Sequence, residues 1–231
     1  MTLRTKSVLI AMLFAAATAA EAQEPAAGAR QGGGRQGGAA RPAPPQPAPL
    51  FFKETWKPAA AAAPITPAIV ANPDLQVAVY SKTPNEPSVN DEGGVAHVWT
   101  GLCAPSCAVT LKHKASMADL TGKARMKWYA KTSGFHEIRP VVKLADGTWL
   151  VGNFADASLF DYHEVDFYFA DVRWMRLDID SLTTKGGLLD KVDLSKVDEI
   201  GFVDLTPGSG HGLGGYSDMG WMELYAKPVA R

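Results

Sequence analysis

The chain has 231 residues, a formal net charge of −1 and two cysteines. Residues 1–49 hold five of its cations and two of its acids, so residues 50–231 carry a formal −4. A mildly acidic domain lacks the basic footprint that nucleic-acid binding requires, so nucleic acid is not an expected partner.

The first element is a targeting segment. Arg4 and Lys6 precede an uncharged apolar run at residues 8–20. Ala20-Glu21-Ala22 then places small residues at the two positions a signal peptidase reads. The run is shorter than the ~20 residues that a spanning helix needs. Residues 1–22 are therefore expected to be a cleaved signal peptide, with a retained anchor as the alternative. No second span follows, so the mature protein is expected to be secreted or periplasmic, without a membrane span. Residues 23–49 are Gly, Ala, Pro and Gln with Arg30, Arg35 and Arg41. They contain no aromatic or β-branched residue, cannot bury a core, and read as a disordered linker.

Residues 50–231 have the length of one domain. Short alternating runs recur at 75–80, 95–100, 107–113, 124–132, 137–144, 149–154, 163–169, 172–179, 197–205 and 221–227. Turn residues separate them, notably Ser133-Gly134, Asp146-Gly147 and Thr206-Pro207-Gly208. Asp-Gly between two apolar runs is a hairpin signal. No stretch holds a helical period, although residues 193–196 have room for one short turn. Many short strands at close spacing predict an all-β antiparallel sandwich or barrel.

Cys103 and Cys107 enclose three residues. In an oxidising compartment this predicts a local disulfide. A redox pair would want two intervening residues, and a zinc site a second pair of ligands nearby.

Successive side chains on a strand point to opposite faces. Met126 and Trp128, then Ile138, Pro140, Val142 and Leu144, then Val165, Phe167 and Phe169, then Met222 and Leu224 read as core. Met175, Leu177 and Ile179 read the same way. The alternate positions include Tyr129, Arg139, Trp174, Arg176 and Asp178, and they mix aromatic, Arg and carboxylate groups. Such a face suits sugars: a pyranose packs its CH-rich side on a ring and presents hydroxyls to Arg and Asp. The other reading is an ordinary solvated face. Trp99, His136 in the turn after Ser133-Gly134, Trp149 after the Asp-Gly turn, and His211 in a glycine-rich loop at 207–215 complete the candidate ligand-binding set.

Catalysis has weaker support. Glu137, Glu164, Asp166, Asp178 and Glu223 are available carboxylates, but Asp178 and Asp180 share one strand side rather than facing across a cleft. The glycine loop lacks the Lys-Ser/Thr ending of a phosphate-binding loop. No Gly-x-Ser-x-Gly elbow sits between a strand and a helix. The five histidines are scattered, and no metal ligand can be named.

Residues 193–202 (Asp-Leu-Ser-Lys-Val-Asp-Glu-Ile-Gly-Phe), followed by Trp221-Met222-Glu223-Leu224-Tyr225, resemble the closing strands of galactose-binding-like jelly rolls. That superfamily includes many carbohydrate-binding modules, and the strand from Trp174 to Ile179 fits the same pattern. The chain is also similar to small exported bacterial proteins of unassigned role. The resemblance covers residues 171–227. It implies a jelly-roll sandwich and no catalytic residues. Family members often hold a structural calcium near the chain ends, but no full oxygen-ligand set can be placed here. The expected function is non-catalytic binding of carbohydrate or another small polar ligand. The alternatives are a structural or protein-interaction domain of the cell envelope, and a glycan-active hydrolase. Ligand identity and oligomeric state are not legible.

Overall fold

A computed structural model describes residues 46–59, 61–81, 88–101, 103, 106–157, 161–206 and 215–231. The signal-peptide reading, most of the linker and His211 lie outside them. The strands begin with β1 (Leu50–Glu54), β2 (Ala63–Pro64), β3 (Leu75–Ser81), β4 (Ser88–Glu92) and β5 (Val95–Trp99). Next come β6 (Cys107–His113), β7 (Ser116–Asp119), β8 (Arg125–Thr132), β9 (Glu137–Leu144) and β10 (Trp149–Gly152). The last are β11 (Asp156–Ala157), β12 (His163–Tyr168), β13 (Trp174–Asp178), β14 (Thr183–Lys185), β15 (Val197–Asp204), β16 (Ser217–Tyr225) and β17 (Lys227–Ala230). Two 3-10 turns, Pro67–Ile69 and Phe169–Asp171, are the helical pieces among the described residues. None is long and apolar enough to cross a membrane.

One sheet has seven strands in the order β12-β8-β16-β5-β4-β2, with β1 also on β16. The other has ten, with the path β14-β13-β10-β9-β15-β6-β3 and β7, β11 and β17 attached. The strand pairings among the described residues are antiparallel. The chain crosses repeatedly between the sheets: β5, β8, β12 and β16 belong to the first, and β6, β9, β13 and β15 to the second. This is the antiparallel sandwich that the strand rhythm predicts, in keeping with the jelly roll that the resemblance implies.

The two inner faces meet over Met126, Trp128, Ile138, Val142, Phe202, Met222 and Leu224, all without solvent exposure. Parity in β8, β9, β12 and β16 matches the sequence reading. The Asp146-Gly147 turn joins β9 to β10, with Gly147 at φ +88°, a backbone region open to glycine. Cys103 and Cys107 form a disulfide across a Cα–Cα distance of 5.9 Å.

Three expectations are corrected. The short strands β1, β2, β4, β7, β11, β14 and β17 have too little alternation to stand out in the sequence. Residues 193–196 make no helical turn; Asp193 Oδ1 instead accepts from the Ser195 N–H at 2.9 Å. The larger correction concerns β13. Its register places Met175 opposite Val151, and Trp174 opposite Gly152. Met175, Leu177 and Ile179 join a second apolar cluster with Val141, Trp149, Val151, Leu182 and Val203 on the outer side of the ten-stranded sheet. Trp174 belongs to the main core, 3% exposed and stacked near Phe169. Both faces of this sheet are covered, so alternation cannot say which one is the core.

Candidate functional site

The outer face of the seven-stranded sheet is built by β8, β12 and β16. Outward positions on β8 are Arg125, Lys127, Tyr129 and Lys131, all at least partly buried. On β16 an irregularity between Met219 and Trp221 inserts Gly220 as an extra residue. A β-bulge of this kind resets side-chain parity. Asp218 and Trp221 both point outward as a result, and Trp221 lands opposite Tyr129. A Cβ at Gly220 would sit 3.1 Å from Tyr129 Cδ1, so glycine lets the tyrosine ring settle against β16.

Three rings stand in file. Tyr129 stacks on Tyr162 at 5.0 Å and on Trp221 at 5.9 Å, with interplanar angles of 20° and 13°. All three are half-buried. Cations lie against rings along the same face. Lys53 and Lys127 approach Trp221 at 5.1 and 5.9 Å. Arg125 lies 4.1 Å from the Tyr225 ring, and Lys131 lies 4.9 Å from that of Tyr162. Each of these cations also meets a carboxylate. Lys53 pairs with Glu223 at 2.8 Å, Lys127 with Glu164 at 3.3 Å, Lys131 with Asp218 at 3.4 Å, and Arg125 with Asp166. Asp218 also faces His97 Nε2 at 3.4 Å, both side chains being buried. Trp99 closes this end. Its indole folds over Gly101, where a Cβ would come within 2.2 Å, and it meets Tyr216 edge-on at 6.5 Å.

One carboxylate of this face, Glu223, is held ionised. Burial pushes Glu223 upward, but hydrogen bonds from Lys53 and Tyr225, with the Lys53 charge, outweigh it and leave its pKa below the usual range. The Tyr225 hydroxyl donates to Glu223 Oε2 at 2.7 Å, and that bond raises its own pKa.

The sequence-predicted residues do not converge on one surface. Tyr129 lies at the centre of the face just described, with Trp99 at its margin. Arg139 and Trp149 stand on the outer face of the other sheet. There Arg139 donates to Glu137 at 2.7 Å, and Trp149 is wedged between Tyr80 at 4.9 Å and Lys143 at 5.4 Å. Glu199 ties that region together, accepting from Tyr80, Thr110 and Lys143 at 3.0, 2.8 and 2.9 Å. Burial, reinforced by Glu199, drives the Tyr80 pKa upward. His136 is buried, and its Nδ1 lies 2.7 Å from Asp204 Oδ2. The same oxygen accepts from Ser217 and Thr100. The carboxylate, not the imidazole, is the hub, so this is a structural knot rather than a relay for a nucleophile.

Trp174 is core, as noted. Arg176 is exposed beside a cavity of about 530 Å³ that also touches Asp146, Lys191 and Lys196. Asp178 pairs with Lys185 at 2.8 Å. The Lys185 hydrogen bond, with the Ser181 N–H, brings its pKa down to about 2. A depressed carboxylate pKa contributes stability that is present above the unfolded value and lost as pH falls through the folded value. The Asp178–Lys185 contact is accordingly expected to survive to pH 3. A carboxyl ¹³C titration should give a midpoint near 2, and an ordinary midpoint near 4 would refute the pairing.

No family model matches the chain, and no curated protein sequence matches it. Solved structures do. A family 11 carbohydrate-binding module from Clostridium thermocellum, in complex with a β-1,3-1,4-mixed-linked tetrasaccharide, matches at 13% identity and a TM-score of 0.44. The match covers 73% of this chain and 98% of that one. A family 29 carbohydrate-binding module matches at 12% identity and a TM-score of 0.43, covering 76% of this chain and 93% of that one.

The face holds groups that the sequence reading leaves out of its candidate set: Tyr162, Trp221, Lys53, Lys127, Glu164 and Glu223. Alternation in β16 does mark Trp221 and Glu223 as outward. Pairing them with Tyr129 requires the register and the bulge, which no local pattern carries. Tyr162 precedes β12 and follows no period at all.

Proposed function

We propose that this is an exported, non-catalytic carbohydrate-binding domain that takes its ligand on the outer face of the seven-stranded sheet. The observation that carries this reading is the row Tyr162–Tyr129–Trp221, half-buried in a setting of ion-paired side chains. The exposed rims of the rings form an apolar ridge for sugar CH groups. Glu164 and Asp166, with side chains 60% and 39% exposed, offer lone pairs to hydroxyls. The pKa direction resolved on this face supports binding over hydrolysis. Glu223 departs from its ordinary value, and it departs downward. A general acid for glycoside cleavage needs the opposite shift. Residues 1–22 as an export signal and 23–49 as a tether belong to the same proposal and rest on the sequence.

The test is affinity electrophoresis and calorimetry of the full chain against soluble plant, bacterial and fungal polysaccharides. Trp221→Ala and Tyr129→Ala are each expected to weaken binding about tenfold or more, from a stacking loss of about 1–2 kcal/mol. Thr184→Ala, on the other sheet, should leave it unchanged. Undiminished binding in both aromatic variants would move the site elsewhere.

A further inference from the structure

Four cations on this face are each paired with a carboxylate, and that pairing bears on the class of ligand. We infer that Glu164, Asp166 and Glu223 are selectivity residues that reserve the face for neutral glycans and exclude anionic ones. The inference rests on the proposed carbohydrate-binding role of the face.

An aromatic ridge set among Lys53, Lys127, Arg125 and Lys131 would, by itself, attract a polyanion. Uronate carboxylates and sulfates are recognised by free ammonium and guanidinium groups. Here none of the four is free. Glu223 takes Lys53, Glu164 takes Lys127, Asp166 takes Arg125, and Asp218 takes Lys131. Each cation is also held against a ring: Trp221 for both Lys53 and Lys127, Tyr225 for Arg125, and Tyr162 for Lys131.

An arriving anion would have to break a pair formed on both sides and would meet the displaced carboxylate as a like charge. A neutral sugar breaks nothing. Its hydroxyls can donate to the outer lone pairs of Glu164 and Asp166 while the ion pairs stay closed. Lys123, over Tyr168 at 5.8 Å, is a fifth cation at the corner of the face, where β12 ends.

Of the three selectivity residues, Glu164 and Asp166 are the exposed ones, and both lie on the edge strand β12. Removing their charge should free Lys127 and Arg125 without disturbing the core.

The experiment compares the intact chain and a Glu164→Gln, Asp166→Asn double variant. The probes are hydroxyethyl cellulose as the neutral polymer and polygalacturonate as the anionic one, each at low and high salt. The wild type is expected to bind the neutral polymer with little salt dependence and to bind polygalacturonate at least tenfold more weakly. The double variant should gain about tenfold for polygalacturonate, and that gain should vanish at high salt.

Wild-type binding of polygalacturonate equal to or tighter than the neutral polymer overturns the inference and leaves the carbohydrate-binding role standing. So does a folded double variant with no gain. If the double variant does not fold, the wild-type comparison of the two polymers still decides. Failure to bind either polymer, or any member of the wider panel, refutes the binding role itself, and the selectivity inference falls with it.

Discussion

Glu54→Ala is expected to destabilise the domain by about 3–5 kcal/mol, read as a shift in chemical-denaturation midpoint at unchanged slope. Glu54 ends β1 with no solvent exposure. Its Oε1 accepts the backbone N–H groups of Trp56 and Ala71 at 2.8 and 2.7 Å, and its Oε2 accepts that of Asn72 at 3.0 Å. Alanine leaves three donors without an acceptor, and each costs about 1–3 kcal/mol when water cannot reach it. The carboxylate also holds Trp56 at φ +53°, a left-handed backbone uncommon for a bulky residue. That conformation lets the Trp56 indole donate to the Met219 carbonyl at 2.9 Å, beside the bulge that aims Trp221. Glu54→Gln keeps an acceptor oxygen and should lose less. A loss under 1 kcal/mol for the alanine variant would show that the loop finds other partners.

The second large effect is at Trp174. Trp174→Ala should cost about 3–5 kcal/mol, the usual range for removing a buried indole, while glycan affinity per folded molecule stays the same. The indole packs near Phe169 at the edge of the sandwich, where residues 186–196 pass over it. Leu189 N–H donates to the Trp174 carbonyl at 2.8 Å, and the Leu194 carbonyl accepts from Leu120 at 2.9 Å. Trp174 Nε1 is buried with no acceptor among the described residues. Trp174→Phe therefore forfeits volume but no hydrogen bond, and should cost markedly less. Lost binding at unchanged stability would return Trp174 to a ligand-contacting role.

Glu54 and Trp174 mark where sequence reading stops, and β8 shows where it works. In β8 the alternation of Met126 and Trp128 with Lys127 and Tyr129 reports faces faithfully, because one side of that sheet meets the core and the other meets solvent. In β9 neighbouring Val141 and Val142 are both fully buried, one in each apolar cluster. Period 2 survives there but loses its meaning, and Trp174 is assigned to solvent by the same ambiguity. Glu54 and His136 are polar groups whose burial depends on partners that no local pattern names, Ala71 and Asn72 for the first and Asp204 for the second. The site follows the same division. Tyr129 is legible from its own strand, whereas Trp221 opposite it depends on one inserted glycine, and Tyr162 on a loop.

Strand β16 pairs with β8 along one side and with β5 and β1 along the other. The middle of the seven-stranded sheet is therefore supplied by residues 217–225, which are made after every other strand of that sheet. Until they emerge from the ribosome, β1, β5 and β8 have no common neighbour. Closure of this sheet is thus a late, long-range event, slow by the entropy of the loops that it joins. A nascent chain stalled before Ser217 would carry the β8 half of the aromatic row without the β16 half, and so could not display the assembled face.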